Sequence, residues 1–251
     1  MKFFRDTATL FGRSMRHILR SPDTIITVSL IPVALMLLFV YVFGGAIQTG
    51  GARYVNYLLP GIMLIAIASG ISYTAIRLFS DVQQGLFARF HSMPVARAAV
   101  LWAHVLTSLV SNAISVVIII AVALLMGFRP AADVLGWLAV AGILALFTLA
   151  LTWLAVIPGL TAKTVDGASA FSYPLIFLPL ISSAFVPTAT MPAAVRAFAA
   201  NQPVTAIVES LRALLEARPV GSELWTALVW CLAIMLVAYF FAMRAYRHKT
   251  R

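Results

Sequence analysis

Six apolar runs, each about twenty residues long, leave this chain few ways to fold. They cover roughly 24–43, 55–78, 100–126, 134–157, 168–186 and 223–243. About twenty apolar residues in helix cross a hydrocarbon layer of roughly 30 Å. In that layer each peptide group must find its partner inside its own segment, so the runs are expected as helices. Composition agrees: of 251 residues, 62% are hydrophobic and 10% charged, with a mean hydropathy of +0.99. A soluble core of this size needs far less apolar surface. The expected fold is an all-α integral membrane protein, with six transmembrane helices in a single domain over 1–251.

Residues 1–20 are not expected to act as a leader, because the basic segment is itself expected to be helical and is too long for a leader's charged start. At 100° per residue Phe4, Ala8, Phe11, Met15, Ile18 and Leu19 share one side. Lys2, Arg5, Arg13, Arg16 and Arg20 share the other. That is an amphipathic helix suited to the membrane interface. Ser21-Pro22-Asp23 makes the elbow into the first span. A net charge of +10 in a soluble chain points to nucleic acid. Here the basic residues sit in tails and loops, so membrane lipids with anionic headgroups are the simpler partner and no nucleic acid is expected.

Sidedness follows from the same residues. With both termini on one side, that side holds the five of the N-terminal helix, Arg77, Arg89, Arg97, Lys163, Arg244, Arg247, Lys249 and Arg251. The other holds Arg53, Arg129, Arg196, Arg212 and Arg218. Positive residues accumulate in the cytoplasm, which places both termini and the 80–97 loop there.

The loop from Ser80 to Arg97 interrupts the apolar sequence with charges and helix-compatible residues together. Leu86, Phe90 and Met93 recur at the spacing of one helix face. Gly85 is placed to start that helix and Pro94 to stop it. Two readings stand on shape alone: a helix lying among lipid headgroups, or a docking ridge. Between the fifth and sixth runs, residues 187–221 read as two short helices. Met191-Pro192 starts one, Asn201-Gln202-Pro203 separates them, and Val204 to Leu215 forms the second. The second is too short to cross, so it is expected to dip into the outer leaflet or lie on it.

The loop's order of Asp81, Gly85, the apolar pair Leu86-Phe87, Arg89, Phe90, Met93-Pro94 and Arg97 resembles the coupling loop of the type-2 ABC export permeases. Within that family it is most similar to the permease subunits of daunorubicin-resistance-type exporters. Met191-Pro192, Phe198-Ala199, Asn201, Pro203-Val204-Thr205 and Leu211-Arg212 resemble the family's external re-entrant helices. The resemblance implies a permease subunit that pairs with an identical or homologous second permease across the first and fifth spans, and docks two ABC ATPase subunits. It assigns ATPase coupling to Asp81, Gly85, Leu86, Phe87, Arg89, Phe90, Met93 and Pro94. It also implies a multi-pass protein of the inner membrane. The function expected is ATP-driven export of an amphiphile such as a drug, lipid or lipid-linked glycan; a membrane scaffold or assembly factor is the alternative.

Chemistry on the chain itself is sparse. The phosphate loop G-x-x-x-x-G-K-[ST] does not occur, and Ala162-Lys163-Thr164 imitates only its tail. ATP and magnesium are therefore expected on the partner, with no cofactor and no enzyme activity here. His17, His91, His104 and His248 lack metal-ligand spacing. Ser69-Gly70 with His104 lacks the glycine two residues before the serine that a protease elbow needs. Thr107, Ser108, Ser111, Asn112 and Ser115 form a polar stripe on the third span. Ser172, Tyr173, Ser182 and Ser183 mark the fifth. Interhelical hydrogen bonds or a substrate lining both fit these stripes, with Asn112, Ser115 and Tyr173 as candidates for the path. Cys231, the single cysteine, excludes an intramolecular disulfide.

Overall fold

The computed structural model describes residues 2–20, 22–44, 53–85 and 97–249, and all regular structure in them is helical. The amphipathic helix α1 spans Lys2–Arg20 and packs chiefly against α4, Arg97–Leu125. Its water side keeps Arg5, Arg13 and Arg16 exposed. Its protein side is narrower than the apolar stripe suggested: Thr7 is buried, Leu10 packs on a buried cluster, and Phe4 stays exposed. The side turned to the bundle, through Thr7 and Leu10, thus lies about a quarter turn from the middle of the apolar stripe.

Four long helices follow the first span. α2, Pro22–Leu38, ends in one π-helical turn, Phe39–Phe43. α3, Tyr54–Gln83, is buried on nearly every face from Leu58 to Ala68 and forms the axis of the bundle. α4 and α5, Val134–Thr161, pack on either side of it, and α10, Glu223–Lys249, lies along α5. α2 with its π-helical turn, and α10, each turn a broad apolar face outward, including Leu30 and Ile31 on α2, Tyr41 on the turn, and Trp225, Leu236 and Phe240 on α10. In lipid such faces carry no penalty. Among the described residues five helical stretches are long and apolar enough to cross a membrane: Ile26–Phe43, Tyr54–Gln83, Ala99–Leu125, Val134–Thr161 and Glu223–His248.

The fifth run departs from the single helix expected over 168–186. It folds as α6, Val165–Ser169, then α7, Ser172–Phe177, then a 3-10 turn, Leu178–Ile181. The cause is local. Pro174 and Pro179 each withdraw an amide from the ladder. Ser182 then substitutes its side chain for backbone, donating to the Pro179 carbonyl at 2.6 Å and accepting from the Ala184 amide at 3.1 Å. A 3-10 turn at Thr188–Thr190 leads to α8, Ala193–Asn201, and α9, Pro203–Leu215. The two short helices expected in 187–221 are therefore present, and Pro203 opens the second at a position where its missing amide does no harm.

A second feature concerns Gly85. Helix α3 continues through Asp81 to Gln83, and Gly85 follows its C-cap with φ +67°. The Gly85 amide returns to the Val82 carbonyl at 3.2 Å. This left-handed residue terminates α3, in a conformation that glycine takes without steric cost. Asp81 accordingly belongs to the last turn of a long helix. Leu86, Phe87, Arg89, Phe90, Met93 and Pro94 lie outside the described residues.

Candidate functional site

Two ends of the bundle and the seam between them hold its polar chemistry. One end gathers α1, the C-termini of α3, α5 and α10, and the start of α4; with its arginines it is the basic end. At the opposite end residues 178–185, which follow α7, leave backbone carbonyls without helical partners, and such groups need other donors when buried. Side chains from distant elements supply the donors. Gln202 Nε2, at the start of α9, donates to the carbonyls of Leu178 at 3.3 Å and Ile181 at 2.8 Å. The Tyr54 hydroxyl donates to the Phe185 carbonyl at 3.0 Å. A Cβ at Gly61 would strike that of Ala184, so bare backbone lets the segment approach α3.

Arg212 is the hub of this cap. It is 3% exposed. Its Nη2 donates to the carbonyls of Ser183 at 2.8 Å and Tyr57 at 3.0 Å, and Nη1 meets Glu209 Oε1 at 2.7 Å. The guanidinium carbon stands 3.7 Å from the Tyr57 ring centroid. One planar fork thereby ties α9 to α3 and to the broken segment, which a point-charge lysine has no geometry to do. Pro60, in the same stretch of α3, already interrupts the ladder there. Residues 126–131 are pinned alongside: Arg53 Nη1 donates to the Gly127 carbonyl at 3.0 Å, and the Ala131 amide to the Leu215 carbonyl at 2.9 Å.

Midway, a polar seam joins three helices. Thr74 Oγ1 of α3 donates to Ser108 Oγ of α4 at 3.0 Å, and Ser108 Oγ lies 3.0 Å from Thr152 Oγ1 of α5. Ser108 therefore has the interhelical role its stripe allowed. Asn112 Nδ2 donates to the Ser108 carbonyl at 2.8 Å, while its buried Oδ1 has no protein donor. Asn112 also borders a cavity of about 530 Å³ between α4 and α5, lined otherwise mainly by apolar side chains. Ser115, buried on the same helix, donates to the Ser111 carbonyl at 3.3 Å. Neither Ser115 nor Tyr173 lines that cavity, and Tyr173 is 59% exposed on α7.

Gly70 of α3 lies against Asn112, where any Cβ would strike Oδ1. Gly70→Ala is expected to displace Asn112 and lower stability by about 1–3 kcal/mol. Gly142→Ala, whose Cβ meets nothing within 4 Å, should be nearly neutral. Thermal unfolding of both variants in the same detergent checks the contrast, and equal midpoints would contradict it.

At the basic end Asp81 Oδ2 of α3 meets His104 Nε2 of α4 at 3.1 Å. His104 is 8% exposed. The same end holds a buried apolar cluster of Leu78, Val100, Leu101 and Val105, with Trp153 and Leu160 of α5 and Tyr246 of α10. Trp102 is turned onto Trp153, edge to face at 5.3 Å. The pairing escapes the sequence because Asp81 and His104 lie on different helices. Arg212 was more accessible, since it adjoins the apolar face Ile207, Leu211 and Leu215 of α9, where a charge needs buried partners.

A bundle of long apolar helices, with its broken segment capped by side chains and its charges kept to the ends, defines a multi-pass membrane protein. Comparison with known families narrows this: the chain belongs to the ABC-2 type transporter family, whose model matches residues 5–215. It is 29% identical over 250 residues to the daunorubicin resistance ABC transporter permease protein DrrB1 of Streptomyces coeruleorubidus, covering 97% of this chain and 86% of that protein. It is 25% identical over 239 residues to the probable doxorubicin resistance ABC transporter permease protein DrrC of Mycobacterium tuberculosis, covering 94% and 86%.

Proposed function

We propose that this chain is the transmembrane permease subunit of an ABC exporter, moving an amphiphile outward on ATP hydrolysed by separate subunits. The observation that carries the reading is the family match over 5–215, which runs through both the 80–97 loop and the two short helices before the last span. Permease relatives matched over 94–97% of the chain support it. Two ATPase subunits would bring ATP and magnesium, and a second permease, identical or homologous, would complete the path. Residues 80–97 are the coupling loop, with Asp81, Gly85, Leu86, Phe87, Arg89, Phe90, Met93 and Pro94 as the residues that serve coupling.

Daunorubicin and doxorubicin, the compounds in the relatives' names, are amphiphiles. No acidic or basic residue falls at the centre of a long apolar run, which disfavours a fixed ionic site and suits such molecules better than small ions. Lipids and lipid-linked glycans belong to the same chemical class. Asn112, Ser115 and Tyr173 remain candidates for the path. The test is co-expression with an ABC ATPase subunit, recovery of the complex, and ATP-driven movement of daunorubicin in reconstituted vesicles. A chain that retains no ATPase subunit would be a scaffold instead.

In this reading the broken α6–α7 segment is a sixth crossing, α8 and α9 re-enter from outside over 187–221, and α1 lies at the inner surface of the inner membrane. Both termini are then cytoplasmic. With Cys231→Ala as background, Gly50→Cys and Gly221→Cys should react with an impermeant thiol reagent in intact cells. Ser92→Cys and Lys163→Cys should react only after the membrane is opened. Labelling of Lys163→Cys and Gly221→Cys on the same side would remove the sixth crossing.

A further inference from the structure

The Asp81–His104 pair has no explanation in packing alone. A carboxylate in the last turn of α3 sits at the negative end of the helix dipole, where anions are disfavoured. A histidine buried within an apolar helix is costly and needs a partner. Each group supplies the other with a partner, at 3.1 Å. His104 is buried, and the Asp81 side chain is 30% exposed, so the pair is only partly screened by water. Arg77 stands one turn earlier on α3, on the same face as Asp81.

Position gives the pair its meaning. Asp81 lies two residues before the end of α3, and His104 seven residues into α4. These helices are the two stems of the connection through 84–96. A connection of that length absorbs displacement if its stems separate freely, since loop closure restrains it only weakly. Joined stems move as one body.

We propose that Asp81 and His104 form a clasp that locks the two stems of the 84–96 connection together, so that movement of the loop reaches α3 and α4 as a unit. His104 is a positioning residue, and Asp81 acts inward through it instead of touching the ATPase subunit. The proposal rests on the coupling role proposed for the loop, but the clasp itself has a readout independent of any partner.

Spin labels at Gln83→Cys and Arg97→Cys, on a Cys231→Ala background, report the separation of the stems in lipid vesicles holding this chain alone. The distance distribution should be narrow in the parent and clearly broader in Asp81→Asn and His104→Leu. The exchanged pair, Asp81→His with His104→Asp, should restore most of the narrow width. In the reconstituted complex, both single variants should retain the ATPase subunit while the permease's effect on its hydrolysis rate falls at least threefold, with recovery in the exchanged pair. Unchanged widths in both single variants overturn the clasp. So does broadening that the exchange leaves unrepaired, because that outcome marks a general packing defect. If widths respond as expected but no ATPase subunit is retained even by the parent, the clasp stands and the coupling role of the loop fails.

Discussion

Arg212→Met should destabilise the protein by about 2–4 kcal/mol, more than any other single charge removal at this end of the bundle. The guanidinium serves two backbone carbonyls, those of Tyr57 and Ser183, and one carboxylate, Glu209. Methionine fills similar space but leaves both carbonyls without that donor, and each buried acceptor so orphaned costs about 1–3 kcal/mol. Stacking on Tyr57, with the guanidinium carbon 3.7 Å from its ring centroid, is lost as well. Glu209 contributes less to the penalty, since its side chain is 36% exposed and water can solvate it. Arg218 is the internal control. It meets Glu216 at 2.6 Å, but its side chain is 54% exposed, and pairs of that kind contribute about 0–1 kcal/mol. Arg212→Lys should recover less than half of the loss, because a single ammonium has no planar fork. Thermal unfolding in detergent, with limited proteolysis between 182 and 192, measures both effects. If Arg212→Met melts with Arg218→Met, the cap is not held by this residue.

The second large effect is expected at Phe90. If Leu86, Phe90 and Met93 form an apolar ridge seated in an ATPase cleft, docking depends on burial more than on charge. Fully burying such a side chain is worth about 1.5–3 kcal/mol, and about 1.4 kcal/mol is a factor of ten in affinity. An exposed ion pair at Arg89 is worth about 0–1 kcal/mol. Phe90→Ala should therefore reduce recovery of the ATPase subunit about tenfold or more, or uncouple its hydrolysis from transport, while Arg89→Ala does little. Pro94→Ala should extend the helix past its stop and misplace the ridge without changing its chemistry. Pull-down of the ATPase subunit with substrate-stimulated hydrolysis distinguishes the three. Wild-type binding and coupling in Phe90→Ala would leave the ridge resting on lipid, and the loop would lose its proposed role.

Taken alone, the sequence determined the features that one element carries within itself. Apolar runs long enough to cross a membrane became α2, α3, α4, α5 and α10, because length and hydropathy are local properties and the bilayer acts on each segment separately. The division of 187–221 at Asn201-Gln202-Pro203 was legible for the same reason, since proline acts on its own turn. A glycine is compatible with either end of a helix, and the continuation of α3 to Gln83 is what makes Gly85 the terminator of α3. The broken fifth run was half legible. Pro174 and Pro179 announce the interruption, but a proline-containing segment persists in hydrocarbon only if something caps the released carbonyls. Gln202, Arg212 and Tyr54 are those caps, and they arrive from positions 21 to 131 residues away in the chain. The same holds for Ser108 between Thr74 and Thr152, and for Asp81 with His104. A hydrogen bond is made over about 3 Å, and which polar groups come that close is decided by how the helices pack, a property that no single helix contains.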